Sequence, residues 1–378
     1  MNFFDLDLQY KKNKKKIDQA VINTLSSGSY ILGKQNIRFE KKAASFLNCD
    51  YFIGTSSGTD SILVLLIALN IQKGDEVIIP AFSWLSVAEM VILLGAKPIY
   101  VDIQLNSFNL DPKDLVLKIS KKTKAIISTS LFGYPCDLEE ISKIAKSFRI
   151  FHIEDSSQSF GSKLNNKHLH KYSDACTYSF FPSKILGAAG DAGGIAINNK
   201  NLFQKILKLR NHGQHKYSLS KFIGINARMD EVQAALLFFK ISLVKKEIKL
   251  RRNIVKRYIE ILKDFKIIGY TNCKKNYFST YSQFSILVKN RKKLVSIFKK
   301  FKIPLKIYYP KPLYNQFSQK KIEVLPNTEF CTKHVVSLPI NIYSNKRKIF
   351  FLKVLKKVCH KYKSVFYTNE KENIIYKS

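Results

Sequence analysis

The 378-residue chain carries 64 Lys and Arg against 28 Asp and Glu, a formal charge of +36, and 46% of its residues are hydrophobic, enough for a sizeable buried core in one large domain and a smaller one. The lysines run along the whole chain and thicken after residue 240, without glycine-arginine repeats, zinc-finger spacing or a helix-turn-helix, so they read as a solvated surface and no nucleic-acid partner is expected. No stretch approaches the ~18 apolar residues of a membrane span, and the opening MNFFDLDLQYKKNKKK puts charge where a secretory signal needs an apolar run, so the expected location is the cytoplasm with no membrane partner.

From about residue 50 to 210, short β-branched runs alternate with helical patterns, as in βαβ units of a parallel sheet. A helix near 60–70 follows the run GTSSGTD (54–60), and strand VIIP (77–80) follows the turn at Lys73-Gly74-Asp75. Next come a helix at 84–94, strand PIYVD (98–102), a helix at 112–119 and strand KAIISTS (124–130). After the turn Gly133-Tyr134-Pro135 the pattern predicts a helix at 137–148, then strands IFHIED (150–155), ACTYSF (175–180) and GGIAIN (193–198). A long amphipathic stretch after Met229 reads as one connecting helix. Strand YSQFSILV (281–288) and helices at 290–301 and 344–362 then suggest a smaller α+β unit, with a loosely held basic tail after Ser364. The expected division is a large α/β domain over 1–240 and a small one over 241–378. The six cysteines (Cys49, Cys136, Cys176, Cys273, Cys331, Cys359) are scattered singly, which suggests neither a disulfide framework nor a metal site.

Three segments carry chemistry. GTSSGTD puts small hydroxyl residues at a helix start, where unpaired backbone N–H groups bind phosphate or where Ser and Thr simply cap. IFHIEDSSQS (150–159) runs an apolar strand into two acids at its C-terminal end, where open α/β sheets place ligands. Asp155 there either caps the next turn or faces a pyridine nitrogen and keeps it protonated. YSFFPSKILGAAGDAGG (178–194) sets Lys184 between a strand and a glycine-rich turn, a place for a lysine of lowered pKa that acts as nucleophile and base.

With these runs and with FFDLDLQY, GSYILG, KGDEVIIPAFSW, RNHGQ, IGINARMDEVQAALL and YYPKPL, the chain resembles the DegT/StrS-type nucleotide-sugar aminotransferases over nearly its whole length. The resemblance implies an α/β type I aminotransferase fold, with a large mostly parallel-sheet domain and a smaller C-terminal α+β domain. It also implies pyridoxal 5'-phosphate as cofactor, carried by Lys184 as a Schiff base, with Lys184 later moving the proton. Asp155 would pair with the ring nitrogen, Gln158 would contact the ring and Trp84 would stack on it. Ser57, Gly58, Thr59 and Ser179 would hold the phosphate, with Asn226 reaching in from a second subunit of a homodimer. Arg228, Tyr308 and Tyr309 would meet the substrate; the alternative for Arg228 is a structural ion pair with Asp230 or Glu231. The closest look is to enzymes that aminate a UDP-linked 3-keto-N-acetylhexosuronate with glutamate as donor, for amino-sugar and surface-polysaccharide biosynthesis. Because Tyr308 stands where those relatives commonly carry histidine, dTDP-linked 3-keto or 4-keto deoxy-sugars remain the alternative. His152, in a position usually apolar, Ser156-Ser157 and Ala192-Gly193-Gly194 also depart from the family pattern. A dehydratase using the same cofactor is disfavoured by Lys184, and a basic nucleic-acid-binding regulator by the intact Lys184 and Asp155.

Overall fold

The computed structural model describes residues 2–216, 219–220, 222–271, 274–317 and 324–368. Seven strands form the central sheet: β1 (Tyr51–Thr55), β2 (Glu76–Pro80), β3 (Lys97–Val101), β4 (Thr123–Thr129), β5 (Phe151–Asp155), β6 (Ala175–Ser179) and β7 (Gly193–Ile197). Their order is β1-β7-β6-β5-β4-β2-β3. Pairings from β3 through to β6 are parallel, and β7 alone runs antiparallel to both its neighbours, β6 and β1. The sequence locates β7 but not its direction, because the period-2 pattern is the same either way.

Both faces of the sheet are covered, which is why β2 and β4 carry continuous apolar runs rather than an alternation. α3 (Gly58–Ala68) is apolar all round and buried from Ile62 to Leu66, between the sheet and its neighbouring helices α4 (Ser86–Leu93) and α7 (Lys200–Leu209). α5 (Pro112–Lys118) and α6 (Leu138–Ser147) cover the opposite face, where Leu115, Leu138 and Ile141 pack on Ile78, Val101 and Ile126.

Two N-terminal helices not anticipated from the sequence, α1 (Leu6–Ser26) and α2 (Lys34–Leu47), precede β1 and pack on α8 (Glu231–Lys240). The Glu231 carboxylate explains where α2 starts. It accepts from Gly33 N (2.9 Å), Gln35 N (2.8 Å), Asn36 N (2.8 Å) and Asn36 Nδ2 (2.6 Å), filling the unpaired donors of the first turn.

The expected single helix after Met229 is instead two. A 3₁₀ turn at Ile241–Leu243 separates α8 from α9 (Val244–Asp264). The break lets Val244 and Ile248 pack with Phe160 and Tyr178 beside the sheet, while Ile254, Val255, Tyr258 and Leu262 enter a second core. That core joins β8 (Phe284–Leu287) and β9 (Val335–Leu338), an antiparallel pair, to α10 (Arg291–Lys300) and α12 (Asn345–Lys361). α11 (Pro326–His334) is tied back to the large sheet by Asp102, which accepts from Asn327 N at 2.9 Å and Thr328 N at 2.8 Å. The tail is held at its start, contrary to expectation: Val365, Phe366 and Tyr367 are buried, and Thr368 bridges Ile267. Residues 369–378 and Cys273 lie outside the described residues. Among the described residues no helix is long and apolar enough to cross a membrane.

Candidate active site

The site forms at the C-terminal ends of β4, β5 and β6, where the sheet meets the N-terminus of α3. Ser57 is the N-cap of α3; its Oγ accepts from Asp60 N at 3.0 Å. Gly58, the first helical residue, is buried against β6, so that a Cβ there would lie 2.7 Å from Ser179 Cβ and 3.3 Å from Ser157 Oγ. Gly193 of β7 approaches closer still: a Cβ there would lie 2.3 Å from the carbonyl carbon and oxygen of Ser57. The two glycines seat the helix start directly on the strand ends, with Ser57, Thr59 and Ser179 half-buried around it. Behind it, Arg210 Nη1 donates to Glu40 Oε1 (2.6 Å) and to Gly54 O (2.7 Å), and Glu40 accepts from Gly54 N (2.9 Å). This pair pins the entrance to the loop. A helix N-terminus pinned among hydroxyls fits a phosphate monoester.

Asp155 ends β5 and is buried, with Oδ1 accepting from Ser157 N at 3.1 Å and Thr177 Oγ1 at 3.4 Å. Burial raises its carboxyl above the ordinary range; hydrogen bonds from Ser157, the charge of Lys184 and Thr177 oppose that rise. Lys184 sits half-buried in the turn after β6, its backbone N–H donating to Phe181 O at 2.9 Å. Desolvation lowers its ammonium pKa, with Asp155 pulling the other way. The two groups sense one another electrostatically, a carboxylate and an amine in one desolvated place. A cationic heteroaromatic ring carrying a phosphate and an electrophilic carbon fits this donor set.

Gln158 is buried and spans the site: Phe132 N donates to its Oε1 (2.9 Å) and its Nε2 donates to Tyr309 Oη (2.9 Å). Tyr309 is also buried, and the Trp84 ring lies 6.0 Å from its ring, tilted at 47°. Trp84 itself is 53% exposed, in the loop before α4 rather than in the helix expected over 84–94. Tyr308 is half-buried with its ring edge-on to Phe3 at 6.3 Å.

Asn226 and Arg228 are not drawn into this cluster within one chain. Asn226 is exposed in the single chain and bridges Asn211 through its backbone. Arg228 forms no ion pair with Asp230 or Glu231; its Nη1 donates to Asn211 Oδ1 at 2.9 Å, while its buried Nε has no partner among the described residues. Glu231 is committed to capping α2, which removes it as a counterion. The sequence reading also missed the small cleft beside Lys184, lined by Phe4, Asp5, Pro182, Arg251 and Tyr343. FFDLDLQY marked its N-terminal wall, but no spacing rule connects residue 5 with residue 251.

The profile of the DegT/DnrJ/EryC1/StrS aminotransferase family matches residues 11–349. The chain is 37% identical over 351 residues to the UDP-2-acetamido-2-deoxy-3-oxo-D-glucuronate aminotransferase of Pseudomonas aeruginosa, covering 92% of this chain and 97% of that one. It is 35% identical to the dTDP-3-amino-3,6-dideoxy-alpha-D-galactopyranose transaminase of Aneurinibacillus thermoaerophilus, covering 92% and 96%. Among solved structures, a DegT DnrJ EryC1 StrS aminotransferase from Brucella abortus superposes with a TM-score of 0.90 at 32% identity, covering 94% of this chain and 99% of the other. NtdA from Bacillus subtilis, solved with bound cofactor PMP, superposes at 0.86 with 28% identity, covering 95% and 85%. With its fold, its helix-terminus cradle, its half-buried Lys184 and its buried Asp155, the chain belongs to the DegT/DnrJ/EryC1/StrS family of pyridoxal-phosphate-dependent aminotransferases.

Proposed function

We propose that this aminotransferase aminates the 3-keto position of a UDP-linked N-acetylhexosuronate, taking the amino group from glutamate, in amino-sugar and surface-polysaccharide biosynthesis in the cytoplasm. The observation that carries the reaction class is half-buried Lys184 and buried Asp155 within electrostatic reach of one another at the strand ends that carry the α3 cradle. Pyridoxal phosphate, when bound, supplies an electrophilic carbon and an electron-accepting ring. Ser57, Gly58, Thr59 and Ser179 would hold its phosphate, and Asp155 would keep its ring nitrogen protonated, with Gln158 and Trp84 placed around the ring.

Lys184 is the base. Burial lowers its pKa, so a larger share is neutral near pH 7 and able to accept a proton from one carbon and return it to another. Tyr309, locked by Gln158, closes one wall. The cation suited to a substrate carboxylate or diphosphate is Arg228, whose Nε, without a partner among the described residues, has donor capacity left. Since Asn226 and Arg228 stand outside the Lys184 cluster of their own chain, we assign them to the neighbouring site of a homodimer. Tyr308 favours the second reading, a dTDP-linked 3-keto or 4-keto deoxy-sugar, because it offers a phenol where the hexosuronate enzymes commonly carry histidine.

Two measurements test this. Borohydride should fix the cofactor to the peptide containing Lys184, and a label on any other peptide removes the assignment. Purified enzyme given glutamate and a panel of UDP- and dTDP-linked 3-keto and 4-keto sugars should aminate the UDP-hexosuronate fastest. Preference for a neutral dTDP sugar selects the second reading.

A further inference from the structure

On the sheet face opposite Asp155, three buried side chains form a line that the reaction described above does not use. Ser128 of β4 pairs with Glu154 of β5, and His152 precedes Glu154 by two residues, so all three project to one side. Ser128 Oγ contacts both Glu154 Oε2 and His152 Nε2, the latter at 2.8 Å. The other ends are anchored: His152 Nδ1 meets Tyr172 O at 3.2 Å, and Glu154 Oε1 accepts from Ser130 N at 3.0 Å and Ser156 Oγ at 3.4 Å. His152 and Glu154 are 1% and 0% exposed.

Proton counting narrows the states of this line. A carbonyl only accepts, so Nδ1 must carry hydrogen to bond Tyr172. The serine has one hydrogen to share between its two neighbours. If Nε2 accepts it, Glu154 must be the donor to Ser128 Oγ and is therefore the neutral acid. If Glu154 is a carboxylate that accepts it, Nε2 must also carry hydrogen and His152 is an imidazolium. Any arrangement with one proton fewer sets two lone pairs against each other. Of the two complete arrangements, the second separates full charges in a site without water contact, which is the costlier.

The surroundings agree. The titratable groups facing Glu154 are Asp155 and His152 on its own strand, Cys176 and Tyr178 on β6, and Cys136 ahead of α6. Burial raises the two thiols and the phenol, keeping them neutral, and lowers His152 to about 4, so among the described residues no cation holds Glu154 ionised. Burial also raises Glu154, to about 7, with Asp155 adding to the rise and the serine hydrogen bonds opposing it.

We propose that Ser128 and His152 hold Glu154 as a neutral acid, and that this keeps Asp155 a weak base, so that the proton it shares with the cofactor's ring nitrogen stays on the ring. The reasoning rests on Asp155 facing that nitrogen. Glu154 adjoins Asp155 directly, so a negative charge on it would strengthen Asp155 as a proton acceptor more than it would strengthen the ring. Glu154 is thus a positioning residue for charge, acting through Asp155.

Infrared difference spectra of the holoenzyme, wild type minus Glu154→Gln, test the protonation directly at about pH 6, below the raised Glu154 value. The expected result is loss of one buried carboxylic-acid C=O band in the variant. Loss of carboxylate bands instead overturns the proposal. In parallel, the ¹⁵N resonance of labelled cofactor reports the ring proton. His152→Leu, which removes the serine's alternative acceptor, should convert the acid band to carboxylate and move that resonance toward the unprotonated position. Adding Glu154→Gln to His152→Leu should restore it, which repacking alone would not do. A ring resonance indifferent to His152→Leu overturns the link to Asp155; should His152→Leu not fold, the Glu154→Gln spectrum still decides. Asp155→Asn separates the two readings: if it leaves the ring resonance unmoved, the Asp155 assignment fails, whatever Glu154 carries.

Discussion

Replacing Gly193 with alanine probes the cradle without removing a polar side chain. The added Cβ would sit 2.3 Å from Ser57 C and O and 2.6 Å from Gly58 N. Carbon contacts settle at ~3.5–4.0 Å, so β7 and the α3 N-cap must part by more than about 1 Å. All three obstructing atoms are backbone, so no side chain can rotate away. Overpacking of this kind costs about 1–3 kcal/mol. Because the displaced element is the start of α3, much of that cost should appear where the phosphate binds, as a cofactor Kd raised about 5- to 150-fold at 1.4 kcal/mol per decade. Titrating cofactor-free protein with pyridoxal phosphate, with circular dichroism as a check on folding, measures it. Gly74→Ala is the control: its φ of +98° strains any side chain, but no atom lies within 4 Å of the new Cβ. That variant should lose stability of about 1 kcal/mol with an unchanged Kd. If Gly193→Ala folds and binds cofactor within twofold of wild type, the α3 terminus does not hold the phosphate.

Asp155→Asn keeps size but removes the charge facing the ring nitrogen, and kcat should fall about 10²- to 10³-fold in steady-state assays; near-normal turnover would reduce Asp155 to a turn cap. Mixing inactive Lys184→Ala chains with inactive Asn226→Ala, Arg228→Ala chains should restore activity if sites are shared, since one site of each mixed dimer is intact; exchange of subunits without recovery refutes the sharing. Glu154 also links stability to pH. Its folded pKa, about 7, exceeds the ordinary 4.5, so between those values the folded protein holds the extra proton and stability falls as pH rises. Glu154→Gln removes that slope and should exceed wild type at pH ~8 by up to about 3 kcal/mol in urea melts, from 1.36 kcal/mol per unit. His152, lowered to about 4, contributes a slope of opposite sign to both proteins, and it cancels in the comparison.

The chain's local chemistry was legible wherever neighbouring residues carry it. GTSSGTD, IEDSSQS and SFFPSKILG each contain a complete local signal, a helix start, a strand-end acid, a lysine before glycines, and the folded chain brings Ser57, Asp155 and Lys184 to one place. Six of the seven central strands were visible as short runs rich in apolar residues, because strands buried on both faces need not alternate with polar ones. β1 was hidden because its last two residues, Gly54 and Thr55, belong to the helix-start run GTSSGTD. α1 was hidden by its lysines, its helical state being supported by α8 rather than by an apolar stripe of its own.

Position across the chain was decided only by tertiary structure. Nothing local says that Glu231 caps α2 nearly 200 residues upstream, that Asp102 starts α11, or that β7 runs backwards between β6 and β1. His152 appeared in sequence only as a departure from an apolar position; the β4-β5 register set it and Glu154 against Ser128. The physical reason is common to all of these. Side-chain type and local period are set by each segment's own burial, whereas the partner of a buried charge is whatever group the packed elements bring within hydrogen-bond distance, and that depends on strand order, register and direction together.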